Sequence, residues 1–219
     1  NSYMLHAIET YPDAFRGVAI IDENKPDVPQ TMRQLATQGV RGFRLYAFAD
    51  RTASWPGSAA MKTMWTAGAD QNLAMCLLTD PESLEIIDKM CTRHPQTPVV
   101  IDHFARIGMK GPVDQSQLDA LLRLARFPQV KVKVSAFYAL GQKKPPYLDL
   151  GPMIRQLRDA FGAERLMWGS DCPYQVQKGH DYRSSIELIR SRLDFLTPLE
   201  KQQILQTTAE SLFFGPSPG

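Results

Sequence analysis

Cysteine is scarce in this chain, with three among 219 residues, and Cys76, Cys91 and Cys172 form no CxxC pair. That spacing excludes a disulfide framework and a structural zinc site, and reads as small buried residues with free thiols. A cytoplasmic setting follows as the default. Charge of one sign is also lacking: 25 Lys and Arg stand against 23 Asp and Glu, a net +2, and no basic run forms a stripe. A nucleic-acid partner is therefore not expected. No apolar stretch approaches the ~20 residues that cross a bilayer, so a membrane partner is not expected either. Nor does a Gly-rich phosphate turn follow the first strand candidate, where GVAIIDENKPD stands (17–27), which argues against an open dinucleotide-binding sheet.

What is present is alternation. The strand candidates are GVAIID (17–22), VRGFRLYA (40–47), LAMCLL (73–78), PVVIDH (98–103), VKVKVSA (130–136) and LMWGSD (166–171). The stretches between them are long enough for crossover helices, so the pattern implies a parallel sheet with helices outside. Helix boundaries are marked: Asp80-Pro81 and Thr197-Pro198-Leu199-Glu200 open helices, Asp114 caps DQSQLDALLRLAR, and Gly39 stops one. With 43% hydrophobic and 22% charged residues, the expectation is one domain over 1–214 and a frayed tail at 215–219. The segments 48–58 and 138–148 are long βα loops that should rise over the ligand-binding face.

Two strand candidates end on residues able to bind metal or move a proton, His103 and Asp171. In parallel α/β folds the carboxyl ends of strands carry ligands and catalysts. Strand alternation sorts the neighbours. Val130, Val132 and Val134 should face the helices, leaving Lys133 and Ser135 inside; Phe43 and Leu45 should face out, leaving Arg44 and Tyr46 inside. With His103 and Asp171 inward, Asp102 and Ser170 should point toward the helices. Arg44 and Lys133 would then outnumber the interior carboxylates, and a bound anion would balance them. The bland alternative puts Lys131 and Lys133 on an edge strand reaching solvent. Trp55, Tyr138, Tyr147 and His180 are pocket candidates with equally ordinary covering roles.

The segments YPDAFRGVAIID, GVRGFRLY, PVVIDHFARIG, VKVSAFYAL and FGAERLMWGSDCPY together resemble the amidohydrolase-2 family of metal-dependent TIM-barrel hydrolases. The resemblance implies a (β/α)8 barrel with about six of its eight βα units in this chain. It also implies that Asp171 binds metal or transfers the proton, that His103 binds metal or polarises the substrate, and that Arg44 contacts a substrate carboxylate. Such families carry a His-x-His pair at the end of the first strand; the four histidines here, His6, His94, His103 and His180, form none. The chain is therefore expected to open after the second barrel strand, with two metal ligands missing.

The resulting expectation is a hydrolase adding activated water to a lactone or amide carbonyl, with Asp171 and His103 catalytic. Arg44, Tyr46, Lys133 and Ser135 would bind the substrate. His103 and Asp171 would also ligate a divalent metal, zinc foremost, with manganese or a metal-free route as alternatives. The partner would be a small anionic organic molecule, with a homo-oligomer as the open assembly question. The runners-up are a decarboxylase of the aminocarboxymuconate type and a degenerate, non-catalytic barrel.

Overall fold

Strands rich in Val, Ile and Leu pair well only where both sheet faces are covered, and six such strands form one parallel sheet in the computed structural model, which describes residues 1–215. They are β1 (Gly17–Ala19), β2 (Val40–Ala47), β3 (Ala74–Thr79), β4 (Val99–Ile101), β5 (Val130–Ser135) and β6 (Leu166–Gly169). Their spatial order is their chain order, so each helical connection returns the chain to the neighbouring position. The sheet curls into a half-barrel, six of the eight units of the expected (β/α)8 architecture. Most of the frayed tail proposed at 215–219 lies outside the described residues.

The outer layer consists of α1 (Ser2–Thr10), α2 (Val28–Thr37), α3 (Ala49–Thr52), α4 (Ala59–Asp70), α5 (Leu84–Arg93), α6 (Gln115–Leu122), α7 (Gly151–Phe161), α8 (Tyr182–Glu187) and α9 (Pro198–Gln202). Local signals place several boundaries. Asp114 accepts from the Gln117 amide at the start of α6, and Thr197 and Glu200 form a reciprocal capping box on α9. Gly39, just beyond α2, takes φ +90°, a left-handed conformation that costs glycine little. Among the described residues, no helix is long and apolar enough to cross a membrane.

The two sheet faces are packed differently. Phe43, Leu45, Val130, Val132 and Val134 join the main core beneath the helices, as alternation predicts. A smaller cluster of Ala74, Cys76, Val100 and Met167 lines the concave face. Register aligns Arg44 with Cys76, Cys76 with Val100, and Lys133 with Met167, so inward side chains stack in layers. Val18 and the C-terminal residues Ala209, Leu212 and Phe213 cover this cluster. Space there is tight: a Cβ on Gly42 would lie 2.9 Å from the Ala74 carbonyl oxygen.

Three expectations need correction. The strands are shorter than their apolar segments, ending at Ala19, Ile101 and Gly169, so His103 and Asp171 sit on turns beyond the strands. Lys131 and Lys133 do not flank an edge, because β5 pairs with both β4 and β6. Cys172 is exposed, while Cys76 and Cys91 are buried as expected. Burial foremost pushes both buried thiols up to about 12, which leaves them protonated and unreactive at neutral pH.

Candidate active site

Val100 faces the concave side of β4, so two residues on, Asp102 faces it too. Asp102 is fully buried and forms ion pairs with Arg44 of β2 and with Lys133 of β5, its Oδ1 lying 2.7 Å from Nζ. This overturns the expected outward orientation of Asp102. It also removes the argument that Arg44 and Lys133 lack an interior counter-charge. Burial works to raise the Asp102 pKa, but Lys133 and then Arg44 outweigh it and hold the carboxyl below its usual range. Burial likewise works against the Lys133 charge, and Asp102 reverses that, holding the ammonium above its usual value. A Schiff-base lysine needs the opposite shift.

Beyond Ile101 the chain turns sharply, with His103, Phe104, Ala105 and Arg106 all at positive φ between 53° and 58°. Phe104 and Ala105 are buried and pin this left-handed turn, which returns the His103 ring to the concave side. Its Nδ1 lies 2.8 Å from the Ser135 hydroxyl, and its Nε2 is 3.7 Å from Asp171 Oδ1. Burial is the main influence on the imidazole and lowers its pKa despite Asp102 and Asp171, so the ring is neutral at pH 7. When Ser135 donates to Nδ1, the His103 proton resides on Nε2 and can be offered to a substrate oxygen.

Asp171 follows β6 at φ +55°. Its second oxygen, Oδ2, accepts a 2.7 Å hydrogen bond from the Tyr138 hydroxyl. Burial, and then that bond, push the Tyr138 pKa above the usual tyrosine range, so the hydroxyl stays protonated as a donor.

These groups open on a cavity of 440 Å³. Arg44, His103 and Asp171 reach it together with Tyr46, Phe48, Arg106, Tyr138 and Tyr174. Arg106 is held 2.9 Å from Asp80 and lies over the Phe48 ring at 5.4 Å. Lys133 and Ser135, read from the sequence as substrate contacts, are not among the residues lining this cavity; Lys133 pairs with Asp102, and the Ser135 hydroxyl meets His103 Nδ1. Tyr46 lines the wall. A larger cavity of 590 Å³ lies by Gly39 and Arg41, near the amino end of β2, and includes neither His103 nor Asp171.

Alternation finds Arg44, but counted back from His103 it turns Asp102 outward, because His103 lies on the left-handed turn and outside the strand period. Arg106 stands within the DHFAR segment and Tyr174 within DCPY; no spacing marked either. Tyr147 is buried behind the wall, and Trp55 is buried in the outer core. His180 packs on Tyr147.

His103 and Asp171 can give a metal two donors, but no group of three His, Cys, Asp or Glu side chains comes together among the described residues. Catalytic zinc usually takes three protein ligands, so these residues do not make a zinc site by themselves.

The sequence profile of the Amidohydrolase family matches residues 1–215. The chain belongs to that family. It is 30% identical over 166 residues to the L-fucono-1,5-lactonase of Burkholderia ambifaria, covering 74% of this chain and 57% of that enzyme. It is 29% identical over 181 residues to the 4-sulfomuconolactone hydrolase of Rhizobium radiobacter, covering 80% and 57% respectively. The amidohydrolase chain thus spans little more than half the length of these relatives. Among solved structures, it superposes on a candidate 2-pyrone-4,6-dicarboxylic acid hydrolase from Pseudomonas putida with a TM-score of 0.83, at 27% identity over 100% of this chain and 78% of that one. A zinc-bound amidohydrolase from Burkholderia multivorans also gives 0.83, at 20% identity over 98% and 78%; this second likeness shows the shared fold.

Proposed function

We propose that the protein hydrolyses the ester bond of a small anionic lactone at the cavity built by His103 and Asp171. The observation that carries this reading is the pairing of Asp171 Oδ1 with His103 Nε2 at 3.7 Å, at the mouth of a cavity that also contains Arg44 and Arg106. A carboxylate can serve as the general base and a neutral imidazole as the oxyanion donor in water addition to a carbonyl. Asp171 takes the proton of the attacking water as its oxygen bonds to the carbonyl carbon. His103 offers Nε2–H to the carbonyl oxygen. As the ring C–O bond breaks, Asp171 returns its proton to the departing oxygen, giving the open-chain hydroxy acid or its tautomer. Arg44 and Arg106, each paired with one carboxylate (Asp102 and Asp80), turn their remaining N–H groups to a carboxylate or sulfonate, and Tyr46 and Phe48 face the lactone ring.

The relatives' names support a lactone over the decarboxylase alternative. The sulfonated and dicarboxylated lactones in those names also match the two arginines better than a neutral sugar lactone does. The test is hydrolysis of 4-sulfomuconolactone, 2-pyrone-4,6-dicarboxylate and L-fucono-1,5-lactone by the protein carrying this chain and by its Asp171→Asn variant. Turnover of an anionic lactone that falls roughly 10²–10⁴-fold in the variant is expected. No turnover of any of the three, or a near-unchanged rate in the variant, refutes the reading.

A further inference from the structure

The loops after β5 and β6 are joined by an aromatic clamp that ends on the base. After Ser135, Ala136 takes φ +59° and Phe137 is fully buried, packed on Phe104 and Tyr147 with ring centroids 6.1 and 5.7 Å apart. That anchor sets the next residue, Tyr138, at the cavity. The Tyr138 ring stacks on Tyr174 at 6.3 Å and meets His180 edge-on at 6.0 Å.

Behind it the polar atoms are ordered. Buried Gln175 donates through Nε2 to the Tyr147 hydroxyl oxygen at 2.9 Å and to the Asp181 carbonyl at 3.2 Å. The Tyr147 hydroxyl, accepting from Gln175, is free to donate its proton to His180 Nδ1, 2.9 Å away. When it does so, the His180 proton resides on Nε2. The two loops are thereby latched by hydrogen bonds and ring stacking at once, and the one polar atom of Tyr138 points at Asp171 Oδ2.

We propose that Tyr138 is a positioning residue for Asp171: it occupies Oδ2 and so dedicates Oδ1, the oxygen beside His103, to the reacting water. A carboxylate held at one oxygen cannot turn about its Cβ–Cγ bond without breaking that bond, and the clamp stops Tyr138 from following it. Held in place, the base meets the water in one geometry, and loss of such alignment lowers turnover more than binding. The role rests on the lactone-hydrolase reading above.

The test compares Tyr138→Phe and Tyr147→Phe with the parent protein on 4-sulfomuconolactone and 2-pyrone-4,6-dicarboxylate, beside Asp171→Asn. Tyr138→Phe keeps the stacked ring, so Tm should hold while kcat falls roughly 10- to 100-fold and KM changes less than about twofold. Tyr147→Phe should give a smaller loss with the same split. Adding Tyr138→Phe to Asp171→Asn should cause no further loss, because the two act through one carboxylate. A crystal structure of Tyr138→Phe should show the Asp171 carboxylate rotated from its parental plane.

An unchanged kcat in Tyr138→Phe, with Asp171→Asn inactive, overturns the positioning role and leaves the hydrolase reading intact. A raised KM with unchanged kcat makes Tyr138 a substrate contact instead and equally overturns it. If Asp171→Asn remains active, the hydrolase reading fails. The crystal structure then decides the positioning claim alone, and an unrotated carboxylate refutes it.

Discussion

A carboxylate without exposed surface is tolerated in a protein interior only among cations, and Asp102 has two, Arg44 and Lys133. Removing it by Asp102→Ala would leave both cations unpaired in a confined space. The expected cost is about 3–5 kcal/mol, read by urea denaturation at pH 7. The pH sign follows from the shift. Asp102 is held below its ordinary value of 3.8, so its contribution is present above 3.8 and is lost as pH falls through the lower, folded value. The gap between parent and variant should therefore be present at pH 7 and close under strongly acid conditions. A gap that persists there would assign the loss to packing. The step from Asp102 to His103 also shows where sequence reading stopped. Alternation places Arg44 and Lys133 on the concave face, and counted from Val100 it places Asp102 there too; it fails only at His103, where the left-handed turn breaks the period after Ile101.

At the scale of elements, helix starts were the most legible features, since a cap is a local bargain among four residues. The Thr197–Glu200 box appears in the structure with both of its hydrogen bonds. Thr197→Ala should cost about 1 kcal/mol, measured as a shift in chemical denaturation midpoint with an unchanged m-value. No loss would mean that the C-terminal helical segment is held by packing alone. Strand ends were less legible, because apolar spelling continues after the neighbouring strand has stopped offering hydrogen bonds. The segment GVAIID is six residues long, yet only Gly17–Ala19 are strand. The site's reactive groups lie in that gap between apolar segment and paired strand, on backbone whose positive φ values no periodicity announces.

At the scale of the molecule, βα alternation was sufficient to give the parallel sheet and the number of units present. It could not give what covers the concave face. Ala209, Leu212 and Phe213 do this, though their local sequence only marks them as helix. Phe213 is partly buried there, and Phe213→Ala should destabilise the protein by about 1–3 kcal/mol, seen as a lower Tm. An unchanged Tm would show that this cover contributes little.

The separation of the buried ion pairs from the cavity walls bears on how such a protein could change. Asp102, just past β4, and Lys133 on β5 form a charged floor, while Phe48, Arg106 and Tyr174 project from the connecting turns. Phe48 stands apart from the Asp102 ion pairs, whereas Arg106 is tied to Asp80 and Tyr174 to the Tyr138 clamp. A substitution at Phe48 would thus offer the same reaction centre to a differently shaped ring while sparing both the ion pairs and the clamp.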